Sequence, residues 1–167
     1  MGERQDLMNA ESIEKIRTLT ANQTALFCTW PRIDHMMTRP MYTQGVDDDG
    51  TVWFFSGANS HKNQDIAKDS KVELLYANQS SNAYLALVGH ASLSRDQKKI
   101  DELWSQFAKT WFPEGKDDPN LMLIAVKPTV GHYWDTKHNR MVQLAGIAIG
   151  AITGQQLDDG REGNLKL

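Results

Sequence analysis

"TRPMYTQGVDDDGTVWFFS", residues 38–56, is the stretch on which the fold turns. "TRPMYTQGV" (38–46) alternates as a strand does, and "TVWFFS" (51–56) is dense in β-branched and aromatic residues. Between them "DDDG" (47–50) is a tight turn in which Gly50 is free to take positive φ. The stretch therefore reads as an antiparallel hairpin, with the strand of Arg39 beside the strand of Phe55 and Ser56. The three aspartates do not read as a calcium loop, because no EF-hand pattern follows them.

Upstream, residues 1–9 are expected to fray. "AESIEKIRTLT" (10–20) reads as a helix, with Ile13, Ile16 and Leu19 at helical spacing and Asn9 as its cap. "ALFCTW" (25–30) reads as a buried strand stopped by Pro31. Downstream come a short helix near 60–68, a strand at 71–78 and a long strand at 83–94, bent at Gly89. Ser94 to Gln97 has the capping-box pattern, ahead of a helix carrying Ile100, Leu103, Trp104, Phe107 and Trp111 on one face. A strand at 121–128 extends through "GHYWD" (131–135). "RMVQLAGIAIGAIT" (140–153) reads as a helix packed at an interface, and 154–167 as a mobile polar tail.

This order gives five or six antiparallel strands with few helices. The expected fold is mainly β: a small β-barrel with peripheral helices, one domain over residues 10–153. Strand–helix alternation is too sparse for a doubly wound sheet, and no Gly-x-Gly-x-x-Gly follows a strand.

The chain's 167 residues suffice to bury a core without disulfides or a structural metal. A net charge of −3 argues against a general nucleic-acid binder. The lone Cys28 fits a reducing, cytoplasmic setting. The start of the sequence lacks the apolar core of a signal peptide. The longest apolar run, 144–152, is far short of the roughly 20 residues a membrane helix needs. The histidines show no zinc spacing, so no metal is expected, and no Gly-x-Ser-x-Gly elbow supports a serine nucleophile.

One turn stands out as a candidate site. "FFSGANSHK" (54–62) passes from a strand end into a helix start. A helix start offers unpaired N–H groups and a partial positive charge, to which a phosphate can bind. Ser60 would add a hydroxyl and Lys62 a full charge. The same residues also suit a capped surface helix with a solvated lysine. Arg39 would bring a planar fork suited to phosphate from the neighbouring strand, or would simply be an exposed basic residue. Trp111, before a Pro-containing loop, and Trp134, in a polar strand end, are candidates for touching a ligand.

Taken together, Arg-Pro-Met (39–41), Trp-Phe-Phe (53–55), Ser-His-Lys (60–62), "ELWSQFAKTWFPEG" (102–115) and "YWD" (133–135) resemble the pyridoxamine 5′-phosphate oxidase-like flavoproteins. The resemblance covers roughly residues 10–136 and is nearest to the bacterial general stress protein group. It implies a homodimeric split β-barrel with two FMN sites at the subunit interface. On that pattern the strand of Arg39, Pro40 and Met41 lies along the flavin. Phe55, Ser56, Ser60, His61 and Lys62 hold its ribityl chain and phosphate, with Arg39 and Lys62 neutralising the phosphate. Trp111 from the partner subunit, and Trp134, would approach the ring. Gln44 stands where the oxidase has a lysine, Tyr84 roughly where a flavin-binding glutamine is found, and the tail lacks the oxidase's Arg-x-His pair. The implied function is thus an FMN-dependent oxidoreductase of unknown substrate rather than a pyridoxamine phosphate oxidase. A non-catalytic flavin store or sensor, and a barrel for FAD, deazaflavin or haem, are the alternatives.

Overall fold

The 47–50 turn forms, but it joins a shorter pair of strands than the sequence suggests. The computed structural model describes residues 3–32, 34–137 and 159–167. In it the Asp47 N–H donates to the Thr51 carbonyl at 2.9 Å, and Gly50 takes φ 84°. The flanking strands are β5 (Gly45–Val46) and β6 (Val52–Gly57). The strand of Arg39 is separate. β4 (His35–Tyr42) pairs with β3 (Thr24–Arg32), placing Arg39 opposite Phe27 and Met41 opposite Ala25. The chain breaks at Thr43, whose buried hydroxyl lies 2.8 Å from that of Tyr76. Pro31 does not end β3. It lies beyond Thr29, the last residue paired with the neighbouring strand over residues 71–78, so its missing N–H costs no bond there.

The main sheet runs β4-β3-β7-β8-β9-β10, where β7 is Lys71–Asn78, β8 Ala83–Ser94, β9 Leu121–Thr136 and β10 Gly160–Lys166. β9 is long enough to serve two neighbours on one edge: β6 beside Leu121–Val126 and β10 beside Val130–Thr136. The sheet bends where β8 and β9 slip register between Val88 and Gly89. A Cβ at Gly89 would stand 2.3 Å from the Lys127 carbonyl oxygen, so only glycine fits this close approach. The bend carries β6 round toward β4. Those two strands approach each other but share no ladder. This unpaired seam is where the barrel is split.

β6 is buried on both faces, which sets the site. Phe54 points into the main core and meets Phe27 edge-on at 5.3 Å. Phe55, on the opposite face, packs in a second cluster with Ile100, Phe112 and Leu123.

The helices are α1 (Ala10–Thr20), α2 (His61–Lys68) and α3 (Gln97–Leu103). Asn9 occupies the cap position of α1 with φ 48°, but its side chain makes no capping bond. α3 is capped by Asp96, which accepts from the Lys98 and Lys99 N–H groups, while Ser94 accepts from the Asp96 N–H. The expected long helical face ends at Leu103, because Trp104 is extended. Phe107 and Trp111 flank a separate 3-10 turn, Ala108–Thr110, and meet edge-on with ring centroids 4.7 Å apart.

Both chain ends depart from expectation. Residues 160–166 form β10, and β1 (Glu3–Arg4) and β2 (Leu7–Met8) pair with it in parallel. The two short strands β1 and β2 form the sheet edge, and β10 lies between them and β9. Asp135 of β9 binds this edge down: it accepts two bonds from Arg161 at 2.8 Å and one from Lys15 of α1 at 2.7 Å. The helix expected over 140–153 lies outside the described residues. No helix among the described residues is long and apolar enough to cross a membrane.

Candidate functional site

The seam between β4 and β6 opens into a cavity of about 400 Å³, within the range of small-molecule sites. β4 supplies Pro40, Met41 and Tyr42. β6 supplies Phe55, Ser56 and Gly57, and α2 supplies Lys62. Phe107, Trp111 and Phe112 form the aromatic wall, and Gln44 and Asn120 add two amides.

The polar end is built on the start of α2. Ser60 caps the helix, its hydroxyl accepting from the Asn63 N–H. The Ser56 hydroxyl donates to Asn63 Oδ1 at 2.8 Å and lies 3.1 Å from that of Ser60. Asn63 in turn donates to the Gly57 carbonyl, and the Ala58 N–H donates to Asn120. The 57–60 turn is thus braced from both sides. The N–H groups of His61 and Lys62 have no acceptor among the described residues, as expected of a first helical turn. Loss of the Ser60 cap, in Ser60→Ala, is expected to cost about 1 kcal/mol of stability, read as a lower urea midpoint with unchanged slope.

Two cations converge here. Lys62 has no carboxylate within ion-pair distance among the described residues. Burial first, and the nearby Arg39 charge second, push its pKa below the usual lysine value. Arg39 itself stands behind the cavity wall. It reaches Asp65 at 3.5 Å and the Thr29 hydroxyl at 3.3 Å, and Thr29 donates to Asp65 at 2.9 Å. Arg39 is therefore aimed by α2 and β3, while Lys62 carries a charge that an incoming anion would compensate.

Of the residues expected at the site, Pro40, Met41, Phe55, Ser56, Lys62 and Trp111 line the cavity. Ser60 and Arg39 stand just behind it. His61 is exposed, and only its backbone N–H is placed to serve. Trp111, expected from a partner subunit, lines the cavity of its own chain. Trp134 does not reach it: it lies on β9 against His132 at 4.4 Å, paired with Tyr84 of β8. Tyr42, Phe107 and Asn120 were missed. The two rings belong to short segments whose pairing only the fold decides, and Asn120 sits in a loop with no motif.

The fold and site define a split β-barrel with a cationic, aromatic-walled cavity at its seam. Residues 11–158 match the family described as pyridoxamine 5′-phosphate oxidase like, and the chain belongs to that family. Protein bli-3 of Neurospora crassa is 23% identical over 82% of this chain and 70% of its own length. General stress protein 26 of Bacillus subtilis is 29% identical over 52% of this chain and 64% of its own length. Among solved structures, a general stress protein 26 from Jannaschia superposes with a TM-score of 0.80 at 22% identity, covering 95% of this chain and 99% of that one. A general stress FMN/FAD binding protein from Xanthomonas citri gives 0.65 at 20% identity, covering 77% and 90%.

Proposed function

We propose that this chain binds FMN in the seam cavity, with the 5′-phosphate at the start of α2. The observation that carries this reading is Lys62, a half-buried cation without a counterion among the described residues, beside Arg39 and two unpaired N–H groups. A phosphate would accept from Lys62 and the two N–H groups, with the Arg39 charge standing behind them. Rings of Phe107 and Trp111 and the β4 side chains would flank the flavin. The X. citri relative's description as FMN/FAD binding supports a flavin, and the single phosphate-sized anchor favours FMN.

The proposed working unit is a homodimer. The outer face of the main sheet carries an apolar cross-strand row, Pro40–Leu26–Leu75–Ala86, with Leu26 49% exposed. Tyr84 and Trp134 lie beside it, 41% and 42% exposed. Burying that face between two copies would bring Trp134 of one toward the cavity region of the other. By light scattering the mass is expected to be twice the 18.8 kDa of one chain.

When bound, the flavin would supply hydride and electron transfer. The chain's part is to anchor the phosphate, orient the ring between apolar walls and exclude water. No carboxylate or histidine lines the cavity among the described residues. Any proton transfer by the chain would therefore fall to Lys62, since the Tyr42 hydroxyl donates away from this cavity, to Asn22 Oδ1 at 3.2 Å. This also favours a second reading, a flavin-binding stress protein without turnover. The purified protein is expected to be yellow and to release FMN, identified by mass, on denaturation. A colourless protein that also fails to bind added FMN would sink the reading. Reduction of the bound flavin by NADH or NADPH, with turnover on added acceptors, would favour the oxidoreductase.

A further inference from the structure

β4 begins with two soft donors side by side. His35 and Met37 stand two residues apart on one strand, so their side chains project from the same face. Nε2 of His35 lies 3.2 Å from the Met37 sulfur. Both residues are exposed, Met37 by 41%, so burial in the core does not force them together. With the ring proton on Nε2, the contact is a hydrogen bond to sulfur. With the proton on Nδ1, the imidazole nitrogen and the thioether are both left as lone-pair donors at that distance. Opposite the pair, β3 carries its register shift between Thr29 and Arg32, an irregularity of the kind that re-aims side chains.

The donor types select what this pair takes. A thioether is a ligand for Cu(I), whereas magnesium, calcium and manganese ions prefer oxygen. A structural zinc site uses four ligands, and no group of three His, Cys, Asp or Glu comes together among the described residues. Monovalent copper accepts two or three soft donors. With bonds as long as those of zinc, about 2.0 Å to nitrogen and about 2.3 Å to sulfur, a 3.2 Å separation subtends about 95° at the ion. Exposed side chains can open that angle by small rotations. The nearest cations are already paired: Arg32, opposite His35, with Asp34 at 3.7 Å, and Arg39, two residues beyond Met37, with Asp65 at 3.5 Å. Histidine spacing alone does not reveal such a site, because one of its donors is a thioether.

We propose that His35 and Met37 form a binding site for a soft monovalent metal ion, Cu(I), with solvent or a small thiol completing its coordination. The site is independent of the flavin reading, because neither residue lines the seam cavity. It is also compatible with the proposed dimer. His35 and Met37 share the face of β4 that carries Arg39, whereas Pro40 belongs to the outer face.

The probe is Ag(I), a redox-inert stand-in for Cu(I), titrated into the full-length protein carrying methyl-labelled methionine, with the methyl NMR resonances followed. The Met37 resonance, identified by its loss in Met37→Leu, is expected to shift saturably before those of Met8 and Met36, which are 55% and 47% exposed. His35→Ala should weaken the Met37 response by about ten-fold or more. Met36→Leu, on the opposite face of the strand, should leave it unchanged, and Zn(II) should not move the Met37 resonance. Cu(I) under nitrogen should reproduce the Ag(I) pattern. Equal responses at Met8, Met36 and Met37, full binding by His35→Ala, or uptake at the Cys28 thiol with Met37 unmoved would each overturn the proposal. His35, Met36 and Met37 are all exposed, so these substitutions leave the core intact. FMN titration of the same samples reports on the seam cavity separately, so failure of one reading is not mistaken for failure of the other.

Discussion

Lys62→Ala is expected to weaken FMN binding by about 1.5–3 kcal/mol, the range for a charge-assisted hydrogen bond. That is roughly 10- to 150-fold in Kd, measured by fluorescence quenching of free FMN. The same variant should not lose stability in the absence of FMN. Burial and Arg39 both disfavour the Lys62 ammonium, so its charged form is less at home in the folded protein than in the unfolded chain. Removing it relieves that cost. A lysine that served only to cap or cover the helix would behave oppositely: its loss would lower the melting temperature and spare FMN. The pH dependence follows with its sign. Affinity should fall as pH rises through the Lys62 pKa of the flavin-free protein, which lies below the ordinary lysine value. In Lys62→Ala that alkaline loss should disappear. Unchanged FMN affinity in Lys62→Ala would mean that the phosphate binds elsewhere.

Asp135→Asn is expected to cost about 2–4 kcal/mol of folding stability, read from urea or thermal unfolding. Breaking a buried ion pair typically costs about 3–5 kcal/mol because the remaining charge is left uncompensated. Here two cations would be stranded, Lys15 and Arg161. The Asp135 side chain is 11% exposed, but Arg161 keeps 27% exposure, which brings the figure down. Burial alone pushes the Asp135 carboxyl up. The hydrogen bonds and charges of Arg161 and Lys15 outweigh it and hold the pKa below the usual 3.8. A depressed carboxylate stabilises the fold fully above its unfolded pKa, and that stabilisation is lost as pH falls through the folded value. The acid side of the wild-type stability curve should therefore steepen below about pH 4, and Asp135→Asn should flatten it. An equal acid slope in both proteins would show that the triad is not coupled to folding.

The sequence was legible wherever local chemistry governs. Strands β7 and β8, helix α1 and the Ser60-capped helix stand where their patterns put them. Gly89 marks the bend it was expected to mark, and Gly50 takes the positive φ its turn requires. The turn from Ser56 to Lys62 was legible as a capped helix start that could hold an anion, and the family resemblance is what favoured that reading over a plain surface helix. Partner choice was less legible. Arg39 was placed beside β6 because the two segments are adjacent in sequence. In the fold it pairs with β3, and Asp65 of α2 orients it. The polar tail was taken as mobile because it lacks an apolar face, yet its backbone bonds to β9 and to β1 and β2, together with Asp135, fix residues 160–166 as a strand of the sheet.

What this sequence by itself determined is the class of barrel and the cationic turn, because turn residues, caps and two-residue alternation act over a few positions. What only the tertiary structure decided is which strands adjoin and what stands around Lys62. It put Phe107 and Trp111 of the same chain across the seam from Phe55, placed Arg39 behind the lysine, and left Trp134 on the outer face. These placements depend on the register slip at Gly89 and on the failure of β4 to pair with β6. Both arise from the closure of the whole sheet, and no short stretch encodes them.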